Sequence, residues 1–126
     1  MIKGTNFDYF SNQAQNIFFK EKYTVSRLVD RMGMRLDGPY LENIVNTNIK
    51  SEGLVRGVIQ VPADGKPIIL LSDHGTIGGY PKIGIVISAD LNKVAQLVPG
   101  SKVNFKEVNL EEAEKLFKDY SIETNK

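Results

Sequence analysis

The stretch that decides how this chain folds is Gly53 to Gly75, GLVRGVIQVPADGKPIILLSDHG. Two apolar, β-branched runs, VIQVP and PIILL, flank the polar segment PADGKP, and Asp64-Gly65 within it is a residue pair favoured in tight hairpin turns. The stretch predicts two strands around a turn. Immediately after it comes SDHGTIGGYPKIG, Ser72 to Gly84, in which glycines ahead of Lys82 and Ile83 form a loop leading into a further strand, Ile83 to Ile87. Gly84 inside that strand allows a bulge or a close backbone approach.

The same logic extends outward. Upstream, KYTVSRLV predicts a strand, and RMGMRLDGPYL continues as one in which Met32, Met34 and Leu36 alternate with Gly33 and Arg35 until Asp37-Gly38-Pro39 stops it. Ser11 in SNQAQNIFFKEK is placed to cap a short helix with Ala14, Ile17 and Phe18 on one face. Between Asn43 and Gly53 a short strand is expected inside a loop-rich passage. Downstream, Asp90 is placed to cap a helix through Leu97 that Pro99-Gly100 ends, SKVNFKEV predicts a last strand, and Asn109 with Glu112 makes a near capping box for a helix over NLEEAEKLFKDY. SIETNK reads as a frayed tail. Short strands at close spacing with few helices predict a mainly β fold, a closed or nearly closed barrel with short peripheral helices, as a single domain over residues 1–126.

Composition narrows the function classes. Sixteen Lys and Arg against fifteen Asp and Glu give a net charge of +1, with no basic footprint for nucleic acid or an anionic membrane. No apolar run approaches the roughly 20 residues of a spanning helix, MIKGTNFDYF does not read as a signal peptide, and a cytoplasmic protein is expected. Zero cysteines exclude a thiolate nucleophile and a Cys-ligated zinc site, and one histidine excludes an all-His metal site within the chain.

Several residues have chemistry to offer, each beside a plainer role. The glycine-rich loop lacks both GxxxxGK[ST] and GxGxxG, so Gly75, Gly78 and Gly79 read more simply as residues that permit positive φ. His74 offers an imidazole as a general base, but adjacent side chains in an extended segment point to opposite faces, so Asp73 beside it is poorly placed to orient it. Lys82 and Arg35 can each meet an anion, the one as a point charge and the other as a fork; the plain role is a solvated charge. Glu52 offers a general acid or base, or a solvated turn carboxylate. Tyr80 offers a hydroxyl donor, or a plug for the end of the barrel.

Taken in order, the blocks RMGMRL.GP, SEG, G.IQVP.DGKPIILL, GGYPKIG and ADL..VAQL.PG resemble the C-terminal half of the KipA, or allophanate hydrolase subunit 2-like, family, over about Phe7 to Val108. That family includes the C subunit of 5-oxoprolinase and part of the carboxyltransferase region of urea carboxylase. The resemblance implies a cyclophilin-like β-barrel, but not prolyl isomerase activity, since fold alone does not carry function. Members commonly read ADRQTTGGYPK where this chain reads SDHGTIGGYPK, so His74, Gly75 and Ile77 are the atypical positions. Family subunits also exceed twice this length, so the chain corresponds to a C-terminal domain, a truncated product or a shortened gene.

For function, the resemblance implies a share in ATP-dependent opening of 5-oxoproline to glutamate, together with an A subunit and a KipI-like B subunit that forms a common cleft. The cleft would be faced by the loop Thr76 to Lys82 with Arg31, Arg35 and Glu52. Lys82, Tyr80 and Glu52 are then the candidate catalytic residues, and Arg31, Arg35, Thr76, Gly78 and Gly79 the substrate-binding ones. No metal and no cofactor bound by this chain alone are expected; ATP is used by the assembly. Two alternatives remain open: biotin-dependent carboxyl transfer to an amide or urea in the same cleft, and a KipA-like regulatory protein that only binds its KipI-like partner.

Overall fold

A computed structural model of the chain describes residues 1–29, 33–42, 52–53, 56–71, 77–78, 80–109 and 111–112. Nine strands are found among them: β1 (Ile2–Lys3), β2 (Tyr23–Val29), β3 (Gly33–Asp37), β4 (Glu52–Gly53), β5 (Val58–Gln60), β6 (Ile68–Leu70), β7 (Ile77–Gly78), β8 (Lys82–Ile85) and β9 (Lys102–Val103). Seven form one antiparallel sheet in the order β1-β8-β5-β6-β3-β2-β9, and β4 pairs with β7 in a second, two-stranded sheet. The helices are α1 (Asn12–Lys20) and α2 (Leu91–Ala95), with single 3-10 turns at Phe7–Tyr9 and Ser88–Asp90.

Register explains the core. Across the four central strands Met34 faces Ile69, Ile69 faces Ile59 and Ile59 faces Gly84, and the three side chains of this row are buried in the main cluster. Alternation adds Leu36 and Val61 to the same face, and Ile83 joins the cluster through an irregularity in β8. The aromatic layer is completed from outside the sheet: Phe18 of α1 stacks on Phe105 with centroids 4.4 Å apart, and Tyr23 packs at a tilt against both. Ser11 caps α1 as expected, its hydroxyl accepting from Ala14 N at 3.0 Å, which starts the helix where Ala14 and Phe18 face inward.

The sheet curls until its edges meet. Beyond β9 the chain runs beside the start of β1: Met1 N donates to the Lys106 carbonyl at 2.7 Å, Val108 N donates to the Met1 carbonyl at 2.9 Å, and Lys3 pairs with Glu107 at 3.3 Å. The expected barrel is thus a strongly curled seven-stranded sheet, with two short helices at its periphery.

Local expectations are met in part. The hairpin between β5 and β6 does turn within PADGKP: Gly65 N donates to the Pro62 carbonyl at 2.9 Å, so the turn spans Pro62 to Gly65 with glycine in fourth place at φ +74°. Asp64 supports it through its carboxylate, which accepts from Lys66 N at 3.1 Å. Asp90 sits at the start of α2 but makes no side-chain cap, because the 3-10 turn Ser88–Asp90 already leads into the helix. The last strand pairs only over Lys102–Val103, and the residues that follow it turn toward Met1 instead of extending the ladder with β2. Asn109 does cap, accepting from Glu112 N at 2.7 Å, while the expected helix beyond residue 112 lies outside the described residues; of the passage Asn43 to Gly53, in which a short strand was expected, only Glu52–Gly53 is described, as β4.

β1 and the turn after it were not expected, and they fix the strand that carries Lys82. Gly4 lies so close to β8 that a Cβ there would collide with the Lys82 carbonyl and stand 2.8 Å from Gly84 N. Asn6, itself buried, then clasps Lys82 from both sides of its backbone: Asn6 N donates to the Lys82 carbonyl at 3.1 Å and Asn6 Oδ1 accepts from Lys82 N at 3.0 Å. Asn6→Ala strands a buried N–H and is expected to lower stability by about 1–3 kcal/mol, read from urea denaturation midpoints. Burial, with Glu21 nearby as the lesser cause, raises the Tyr23 phenol to about 12. A phenol whose pKa is higher folded than unfolded contributes stability that is complete below about pH 10 and lost as pH rises toward 12. Alkaline unfolding is therefore expected to begin in that window and to move to higher pH in Tyr23→Phe, followed by circular dichroism.

Candidate functional site

The row next to the core row lies on the other face of the sheet. Arg35 faces Ile68, Ile68 faces Gln60 and Gln60 faces Lys82, so all four share one surface by register. A bulge between Ile59 and Gln60 makes this possible: Ile59 faces Gly84 but Gln60 faces Lys82, so Ile83 is the extra residue and turns into the core. This is the irregularity that Gly84 was expected to permit.

Exposure along the row is uneven. Lys82 is 4% exposed and Gln60 6%, whereas Arg35 is in solvent. Val58 and Leu70, which share this face with Gln60 and Ile68 by alternation, are buried although neither belongs to the main core cluster. The outer face is therefore occluded at its centre and open at the Arg35 end. Three strand spacings separate Arg35 from Lys82, roughly 14 Å of backbone, so the two cations occupy different environments rather than one anion clamp.

Arg35 lines a small cleft of about 90 Å³ with Ser26, Asp37, Asp64 and Lys66. That volume is well below the roughly 300 Å³ at which substrate pockets begin, and Lys66 already stands 3.9 Å from the Asp37 carboxylate. The plainer role, a solvated cation, fits Arg35. Lys82 is the reverse case: it is held inside the protein, its backbone fixed by Asn6. A lysine is rarely buried to this degree.

Among the other candidates, Glu52 and Gly78 are brought together as direct ladder partners of β4 and β7, with Gly53 facing Ile77. Tyr80 is 52% exposed and does not plug the barrel; the fully buried Pro81 beside it holds the strand through its carbonyl, which accepts from Val61 N at 2.9 Å. Arg31, Thr76 and Gly79, with Asp73 and His74, lie outside the described residues. Sequence reasoning passed over Gln60. Its signal was present: a polar residue inside VIQVP, in a strand whose three residues are all buried.

A larger groove of about 500 Å³ lies elsewhere, between α2 and the segment after β9, lined by Val94, Leu97, Val103 and Phe105 with Asp90 and Lys93 at its rim. None of the described candidate residues reaches it. Among the described residues no group of three or more His, Cys, Asp or Glu could hold a metal ion, and no helix is long and apolar enough to cross a membrane.

Comparison with known proteins gives this geometry a setting. The chain is 37% identical over 118 residues to the C subunit of 5-oxoprolinase from Escherichia coli (strain K12), covering 94% of this chain and 38% of that protein. It is 39% identical over 115 residues to the corresponding 5-oxoprolinase C subunit of Haemophilus influenzae, covering 91% and 37%. Less than two fifths of either relative is therefore spanned. The crystal structure of the Kluyveromyces lactis urea carboxylase superposes with a TM-score of 0.89 at 26% identity, over 95% of this chain and 12% of that one. Residues 1–107 match the family model for the carboxyltransferase domain, subdomain A and B, and the chain belongs to that family.

Proposed function

We propose that this chain supplies one wall of a substrate cleft as part of the C subunit of a 5-oxoprolinase-like assembly, acting with A-like and B-like subunits in the ATP-dependent hydrolysis of 5-oxoproline to glutamate. The observation that carries this reading is a buried lysine on the outer face of the sheet, in a chain 37–39% identical to two 5-oxoprolinase C subunits.

Opening a lactam has to overcome amide resonance. Transfer of the γ-phosphoryl group of ATP to the lactam oxygen, with release of ADP, makes the ring carbon electrophilic. Water adds at that carbon and the ring C–N bond breaks, its electron pair taking up a proton as the amine and leaving an acyl phosphate; a second water then hydrolyses this, releasing phosphate and the γ-carboxylate of glutamate. The tasks left to this chain are to hold the substrate carboxylate or the phosphate and to meet developing negative charge. Lys82 suits the first: an ammonium kept from bulk water acts on an anion at a lower effective dielectric than an exposed one. Backbone N–H groups of Gly78 and Gly79, and the Tyr80 hydroxyl, suit the second. Glu52, whose backbone pairs with Gly78 on the β4–β7 sheet, is assigned proton transfer in this reading.

The similarity of shape to urea carboxylase favours a second reading, in which the cleft takes carboxybiotin and an amide or urea. The test is reconstitution of the full assembly with A-like and B-like partners, following glutamate and ADP. Turnover of 5-oxoproline supports the first reading; biotin-dependent carboxylation of urea in its place supports the second. Binding of the B-like partner with neither activity points to a regulatory role. In the active assembly Lys82→Met is expected to lower kcat/KM by about 100-fold or more, and Arg35→Ala by no more than about 3-fold, as befits an exposed charge. Intact turnover in Lys82→Met overturns the assignment of Lys82.

A further inference from the structure

We propose that the Gln60 carboxamide is a ligand-binding group, whose N–H donates to a carbonyl or carboxylate oxygen of a small molecule seated on the outer face beside Lys82. The proposal deepens the function proposed above and rests on it for the identity of that molecule.

Gln60 is more than nine-tenths buried, and its Nε2 has no hydrogen-bond partner among the described residues. A buried donor in that state costs about 1–3 kcal/mol, and native proteins leave few of them. The register shows why the sheet does not satisfy it. Its cross-strand neighbours on this face are Ile68, which is apolar, and Lys82, whose ammonium has donors only. Along its own strand the same face continues with Val58 and Pro62, whose side chains carry no acceptor. Every described side chain that the register sets beside the amide is therefore a donor or is apolar.

A buried amide donor with no partner among the described residues, set by register beside an ammonium, matches a ligand rich in acceptors. A lactam acid fits, since it carries a carbonyl oxygen and a carboxylate within one small ring; a urea or a carboxylated cofactor offers its carbonyl alone. A site built to donate to a substrate oxygen also rejects analogues that lack it, because the donor is then left buried and unmet.

The experiment compares Gln60→Met with the wild type in the reconstituted assembly, with Gln60→Leu as a second variant should the first fold poorly. The expected result is a KM for 5-oxoproline raised about 10-fold or more, kcat within about 3-fold, and a melting temperature equal to or above that of the wild type, since an unmet polar group has been removed. An unchanged KM overturns the proposal, as does a fall in stability with kinetics intact, which would mark Gln60 as structural. In parallel, the 15N side-chain amide resonance of Gln60, assigned by its loss in the variant, is titrated with 5-oxoproline and with urea. Movement with either supports the proposal, and movement with neither overturns it. Absence of 5-oxoproline turnover in the wild type would remove the proposed function alone, and the titration would still decide the role of Gln60.

Discussion

The register of β3, β6, β5 and β8 is the constraint on which the rest of the molecule depends. With Met34, Ile69, Ile59 and Gly84 aligned, one face of the sheet is a continuous apolar row and the next row, from Arg35 through Gln60 to Lys82, is turned outward. Side chains in a strand repeat every two residues, so a slip of one position would exchange these rows, exposing the core and burying a guanidinium in it. The bulge at Ile83 is what reconciles the two requirements on β8. It lets Ile83 enter the core while Lys82 stays opposite Gln60, which a regular strand of that length could not do.

That register is held from both ends. At one edge, Gly4 and Asn6 lock the first residues onto the backbone of Lys82. At the other, Phe105 fills the space between Phe18 and Tyr23, and the residues after it bond to Met1. The two anchors are linked by the same short stretch, since Met1 immediately precedes β1. The strand that presents Lys82 is therefore tied into the closure of the sheet and not only into its neighbour β5.

Much of this was legible in the sequence, and the reasons are local. The β5–β6 pair, β3 and α1 are announced by alternation, by turn residues and by Ser11, signals that act over a few residues. β1 was missed because two residues pair there, too few to show any period; what makes Ile2–Lys3 a strand is the proximity of β8, which lies far along the chain. The turn at Pro62 to Gly65 falls within PADGKP as expected, and its exact register was not legible because Asp-Gly serves equally well in the middle of one turn type and at the end of another. In the site, the resemblance drew attention to Lys82, which is buried, and to Arg35, which is not. The difference is written in the register across the central strands, and no reading of either residue's neighbours in sequence could have separated them.

The buried pair on the outer face also runs against the interest of stability. An apolar residue at position 60 would suit a strand whose other two members, Val58 and Ile59, are buried, and would avoid a carboxamide donor left unmet at a cost of about 1–3 kcal/mol. The cost of placing an ammonium beside it adds to this, as taking a charge from water is expensive even when it is well partnered. The core row directly behind shows that the fold can fill such positions with isoleucine when packing alone decides. Polar groups held in a dry place, at fixed positions and side by side, are what electrostatic recognition of an anion or a carbonyl requires. The same low dielectric that makes Gln60 and Lys82 costly to bury makes them strong toward a ligand oxygen, so the destabilisation and the proposed binding are two consequences of one placement.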